Sequence, residues 1–252
     1  SARTPSLLAP LAVYVIAVTV ILGGGGWFVF THQDALERAL LEFFLPESLF
    51  VVGEVLIDRL LDPQALAVLI NSLVATVFVV VSLLTFPLKE WVSARYERRT
   101  GCTEGRTPTE LSLISQGVEE VKLALFYAAM SLGVLRLGLS GDEAVRLTSI
   151  VLSHLVLILT VSIDFISPTV ARHGYRYAHI VRALFKRPVR ILLFGALFAA
   201  PPVAVGYLYR ALEWSPSVGY SVMAAVQLLT ILGAVLAGTV AGGRWLRTTE
   251  AV

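Results

Sequence analysis

The chain has 252 residues, of which 56% are hydrophobic and 15% charged, with a formal net charge of +2 and a mean hydropathy of +0.78. Soluble domains carry about 25% charged residues, so this composition excludes an ordinary soluble protein, and the unbroken apolar runs, which do not alternate in polarity, exclude a transmembrane β-barrel. The single Cys102 closes no intramolecular disulfide, and no Cys/His cluster accompanies it, so neither a metal centre nor a redox cofactor is expected.

A hydrocarbon core about 30 Å thick takes about 20 apolar residues per helical crossing. The first apolar run, Leu7 to Phe30, is long enough, and it closes on Trp27-Phe28-Val29-Phe30. That is an interfacial aromatic anchor, unlike the small-residue cleavage site of a signal peptide. Gly23, Gly24, Gly25 and Gly26 strip the side chains from one turn of it, which predicts close packing against another helix or a local kink. Residues 31–63 interleave acids (Asp34, Glu37, Glu42, Glu47, Glu54, Asp58, Asp62) with Leu, Phe and Val at helical spacing, as amphipathic surface helices do.

The second run, Ala65 to Phe86, is closed by Pro87 and followed by the basic segment 87–122. A third run, 123–139, contains Arg136, and a fourth, Ala144 to Ile166, is expected to stop at Asp164 and Pro168. After the basic segment 167–190 comes a fifth run, 191–209, interrupted by Pro201-Pro202. Two prolines remove two helical donors, so a strong kink or a turn back is expected there. Whether 123–139 and 191–209 cross fully or re-enter is left open by composition. The sixth run is Val218 to Ala241. The chain thus reads as one all-α polytopic membrane domain, 1–252, with about six apolar helical runs, some of them candidate hairpins, and juxtamembrane amphipathic helices.

Sidedness follows from Lys and Arg. If the N-terminus, 87–122, 167–190 and the C-terminus share a side, they hold 15 of the 20 basic residues. The positive-inside rule then places both termini in the cytoplasm and the acidic segment outside.

Three stretches, in order, resemble the CysZ family of bacterial sulfate permeases, which shares a superfamily with the etoposide-induced membrane proteins. They are Leu8-Ala9-Pro10-Leu11 leading through the glycines into Trp27-Phe28-Val29-Phe30-Thr31 and Asp34; Phe86-Pro87 followed by an amphipathic helix from Trp91 to Arg99 and Thr100-Gly101; and Ile163-Asp164-Phe165, a basic helix from Tyr177 to Lys186, and Phe194-Gly195-Ala196-Leu197. The resemblance implies long spanning helices followed by helical hairpins that penetrate part of the bilayer, and uptake of sulfate.

An oxyanion inside a bilayer needs backbone N–H groups at a helix start, aided by Arg or Lys. Arg3, Thr4 and Pro5, before the first span, are the candidate binding residues; Arg3 also suits a plain positive-inside anchor. Asp164 is expected to pair with Arg172, Arg176 or Lys122, as a salt bridge fixing a hairpin or as a proton relay. His154, mid-run, either titrates or hydrogen-bonds a neighbouring helix, as Asn71 and Gln227 are expected to do. Glu119 and Lys122 can pair at i, i+3, with Glu120 on the adjacent face; Arg136 is expected to snorkel. A basic helix from Val170 to Lys186, carrying Arg172 and Arg176, would lie on an anionic leaflet or dock a partner. No nucleic-acid motif accompanies it, and no nucleophile elbow, Walker motif or His-Glu-x-x-His is present, so no catalytic residue is assigned. Two functions follow: passage of a small oxyanion, or a structural or accessory subunit that packs with copies of itself or with other membrane chains.

Overall fold

The computed structural model describes residues 6–32, 35, 63–103, 112–138, 140, 142–184, 186 and 188–249. Among them every regular element is a helix: α1 Leu8–Thr31, α2 Pro63–Leu84, α3 Phe86–Thr100, α4 Leu113–Gly138, α5 Glu143–Arg172, α6 Tyr177–Leu184, α7 Pro188–Ala211 and α8 Pro216–Thr249. The acidic segment 31–63 lies almost entirely outside the described residues. Five helices, α1, α4, α5, α7 and α8, are long and apolar enough to cross a bilayer, and α2 with α3 forms a further, broken span bent by 80°. The chain is an all-α polytopic membrane protein.

Local chemistry sets the boundaries. α2, α7 and α8 each begin on a proline, whose fixed φ and missing N–H suit the first helical position. Asp142 caps α5, its carboxylate accepting from the backbone N–H of Ala144 at 2.8 Å and of Val145 at 3.4 Å. α3 ends on Gly101, which takes φ 60° and donates its N–H to Glu97 O, the left-handed cap that glycine adopts without strain.

Several boundaries differ from those expected. α4 starts at Leu113 and already includes Glu119, Glu120 and Lys122. α5 runs through Pro168 to Arg172, and α7 runs through Pro201 and Pro202. Proline costs a helix one hydrogen bond, and a membrane bundle tolerates it where other groups satisfy the freed carbonyl. The basic helix expected from Val170 to Lys186 is instead divided at His173-Gly174, where Gly174 takes φ 87°; only Tyr177–Leu184 forms a separate helix.

α5 is the axis of the bundle, with every residue from Thr160 to Arg172 buried. Around it Tyr14, Val18, Phe78, Val161, Phe165 and Ile231 form the main apolar core. The outside is also apolar: Ile16, Val20, Leu125, Phe126, Leu193 and Leu197 are exposed, and lipid satisfies such residues as well as a core does. What distinguishes the interior is small polar side chains. Ser149, Ser153 and Ser162 are buried on α5, and Ser162 Oγ donates across to Ile191 O at 2.7 Å. Tyr220 at the start of α8 donates to Leu22 O near the end of α1, and the end of α8 packs on the end of α5 and on Cys102 after α3. The start of α1 and the end of α8 therefore lie at one end of the bundle, which is also the α3 end.

The close approaches use other glycines than the expected run. A Cβ at Gly23, Gly24 or Gly25 would meet nothing within 4 Å, and all three are exposed, so among the described residues this turn packs against no other helix; the surroundings of Gly26 lie outside the described residues. On Gly195 a Cβ would fall 2.0 Å from Ile158 O, and on Gly238 it would fall 2.1 Å from Phe165 O. Both clashes are with backbone of α5, which cannot swing aside. Gly238→Ala should therefore cost about 1–3 kcal/mol, whereas Gly24→Ala should stay within about 0.5 kcal/mol of the parent. Thermal unfolding of the two variants in the same detergent checks the contrast.

Candidate functional site: a buried charge network around α3

α3 follows the bend and carries Lys89, Glu90, Ser93 and Glu97 on one side, spaced so that successive turns present them together. All four are buried, Lys89 completely at 0% exposure. The helix lies across the α3 end of the bundle and packs on α1, α5 and α8, so its polar face points at the ends of spans. This is the reverse of a juxtamembrane helix lying on a leaflet with its charges in water.

The Lys89 ammonium is one hub. It donates to Asp164 Oδ1 at 3.0 Å on α5, to Glu120 Oε1 at 3.1 Å on α4 and to Ser82 Oγ on α2, with the Phe165 ring centroid 5.9 Å away. Ser82 Oγ in turn donates to Asp164 Oδ1 at 2.8 Å. Four helices thus meet at one nitrogen. Pro168 helps to build this hub. Having no N–H, it leaves Asp164 O without its helical donor, and that carbonyl accepts from Ser167 Oγ at 3.2 Å and Lys89 Nζ at 3.4 Å instead. Asp164 therefore pairs with Lys89, and none of the expected partners, Arg172, Arg176 or Lys122, reaches it among the contacts seen.

Arg172 is the second hub. Its Nε and Nη2 donate to Glu97 Oε2 at 3.1 and 2.8 Å, Nη2 also reaches Ser93 Oγ at 2.7 Å, and Nη1 donates to Glu90 Oε2. The other Glu97 oxygen accepts from Thr103 Oγ1 at 2.5 Å and meets His173 Nε2 at 2.8 Å. Ser93 Oγ continues the chain of contacts to Thr239 Oγ1 on α8 at 2.8 Å. The two hubs keep register: Lys89 and Glu97 are eight residues apart on α3, as are Asp164 and Arg172 on α5, about 12 Å along each helix.

The formal charges do not balance. Two cations, Lys89 and Arg172, face four carboxylates, Asp164, Glu120, Glu90 and Glu97. Asp164 Oδ2 and Glu90 Oε1 are buried and accept no hydrogen bond. Glu90 and Glu120 line a narrow cleft with Gln116, Ser167 and Pro168, closed on one side by Ile180 of α6, whose water-sized space is about 20 Å³. That is room for a single water or ion.

The remaining expected residues are dispersed. Glu119 accepts from Lys122 Nζ at 2.6 Å as the i, i+3 spacing foresees. Asn71 joins α2 to α5, donating to Ser153 Oγ at 2.8 Å; His154 Nδ1 lies 3.0 Å from the Asn71 amide nitrogen and 2.8 Å from Ile150 O of its own helix. Gln227 is buried on α8, Arg136 is exposed, and Arg176 is exposed at the turn after α5. Arg3, Thr4 and Pro5 lie outside the described residues. Among the described residues no group of three or more His, Cys, Asp or Glu is placed to hold a metal ion. Lys89, Glu90, Glu97 and Ser82 were not singled out by sequence reasoning. The signal was available in the polar periodicity of Lys89, Glu90, Ser93 and Glu97 around the apolar Val92. Comparison of the chain with family models, with curated proteins and with solved structures finds no match.

Proposed function

We propose that this chain is a CysZ-like permease-type protein of a bacterial inner membrane, both termini cytoplasmic, which mediates or assists passage of a small oxyanion, with sulfate as the candidate, and which is not an enzyme. The observation that supports this reading is the burial of Lys89 and Arg172 inside a bundle whose outer surface is apolar. Ionisable groups within membrane helices are costly, and where they persist they mark substrate or ion routes. Asp164, at the centre of the Lys89 hub, belongs to the Ile163-Asp164-Phe165 stretch that carries the resemblance. An oxyanion traversing the α3 end would exchange with the carboxylates for the Lys89 and Arg172 donors; Arg3, Thr4 and Pro5 remain the candidate binding residues on sequence grounds. Sulfate, compared with chloride at matched ionic strength, should raise the thermal midpoint of the purified protein, and proteoliposomes should show sulfate flux that falls on Arg3→Ala. Neither effect in a folded preparation would sink the reading.

A second reading, a structural or accessory subunit, is favoured by one specific observation. The exposed turn Gly23 to Gly25 on α1 offers backbone to a neighbouring helix and finds none among the described residues. Native mass spectrometry of the gently extracted assembly separates the readings, because a fixed set of foreign membrane chains with no sulfate effect would favour the subunit.

A further inference from the structure

We infer that the cleft between Glu90 of α3 and Glu120 of α4 is a binding site for a compact monovalent cation, sodium or a proton. This stands apart from the passage of an oxyanion and holds whether or not one passes. Four buried carboxylates face Lys89, Arg172 and the His173 ring, so at least one carboxylate has no cation of its own, and because a buried charge without a partner costs several kcal/mol, positive charge from outside the protein stabilises the folded chain. The place for it is set by geometry. Arg172 satisfies Glu90 Oε2, but Glu90 Oε1 accepts from nothing, although the residue is only 5% exposed and lines the cleft. On the facing wall Glu120, 8% exposed, has Lys89 on Oε1, and its carboxylate is repelled by those of Asp164 and Glu90. The cleft therefore presents oxygen donors, the Gln116 amide and the Ser167 hydroxyl included, to a space of about one water.

The same features fix the class of ligand. An anion would face three glutamates, Glu90, Glu120 and Glu119, the last of them held by Lys122. Calcium takes six to eight oxygens and magnesium a near-ideal octahedron, and no three-acid group suited to such ions exists among the described residues. A small monocation needs neither. The titratable and charged groups that bear on Glu90 are Lys89 and Glu97 on its own helix, Glu119, Glu120 and Lys122 on α4, and Asp164, Arg172 and His173 at the end of α5. Of these Lys122 is engaged with Glu119, and Lys89 and Arg172 are each shared between two acids.

The test uses the full chain purified in detergent. Thermal midpoints are measured with sodium chloride replaced by choline chloride at constant ionic strength, and then in choline alone from about pH 8 to about pH 5. A cation that binds only the folded state raises the midpoint with its concentration. The expected result is a saturable rise with sodium, or in its absence with protons, that is lost in Glu90→Gln and Glu120→Gln and kept in the exposed control Glu143→Gln. The sodium arm reports a metal ion, the pH arm a shared proton, and either supports the site. Because a variant can fail to fold, radiosodium equilibrium dialysis and proton-uptake measurements on the unaltered protein accompany the shifts. No saturable sodium binding in dialysis, together with a pH response and a proton uptake that Glu90→Gln and Glu120→Gln share with the parent, would overturn the proposal.

Discussion

Lys89→Ala should destabilise the bundle by about 3–5 kcal/mol, the cost of leaving a buried charge without its partner. The cost comes from Asp164 and Glu120, which would remain in the interior with only Ser82 facing them. Replacing the whole triad with apolar residues of similar volume, Lys89→Met with Asp164→Leu and Glu120→Met, should recover most of the loss, since a buried ion triad can be matched by apolar packing. Unfolding in a denaturing-detergent titration, run on the single and triple variants, measures both. A triple variant that is stable yet loses sulfate flux would separate a transport role for the triad from its structural one. A single variant as stable as the parent would mean that water reaches Lys89, contrary to its complete burial.

Arg172→Ala is expected to cost a similar amount, about 3–5 kcal/mol, for a different geometric reason. Arg172 uses the fork of its guanidinium to hold Glu90 with one nitrogen and Glu97 with the other two. A lysine carries the charge but lacks the fork, so Arg172→Lys should recover only a minor part of the loss. In a double-mutant cycle with Glu97→Gln, the coupling energy should fall between about 0.5 and 3 kcal/mol, the range of residues in one network. The same cycle between Arg172 and Glu119 should give a coupling near zero, because Glu119 pairs with Lys122.

The spans were legible because their signal is summed over many residues: about 20 apolar positions identify a crossing whatever the neighbours do. Pair contacts carried by local spacing were legible too, as with Glu119 and Lys122, and Asn71 could be assigned to an interhelical bond because a lone amide in lipid must find one. Three features were misread for identifiable reasons. Pro168 and Pro201-Pro202 look like helix stops when only backbone donors are counted, but the Ser167 hydroxyl and, from across the bundle, Lys89 donate to Asp164 O and compensate the first of them. Lys89 counts only as one member of the basic segment 87–122 in the sequence, because its partners Glu120 and Asp164 lie 31 and 75 residues away. Gly23 to Gly26 form the conspicuous run, whereas the glycines that meet a backbone, Gly195 and Gly238, are isolated. Crowding at a glycine depends on what lies opposite, which a single sequence does not state.

The 80° bend before α3 also bears on how the chain is made. A ribosome that has just delivered α2 next exposes Lys89, Glu90 and Glu97, while Asp164 lies 75 residues further on and Arg172 the same distance beyond Glu97. At about 5–20 residues per second, that is roughly 4 to 15 seconds during which α3 lacks its partners on α5 and has only Glu120, 31 residues after Lys89, as a counter-charge. α3 therefore enters the bundle after α5 has left the translocon, as a late rearrangement of membrane already crossed, and nascent chains halted before residue 164 should leave Lys89 open to amine-reactive labels.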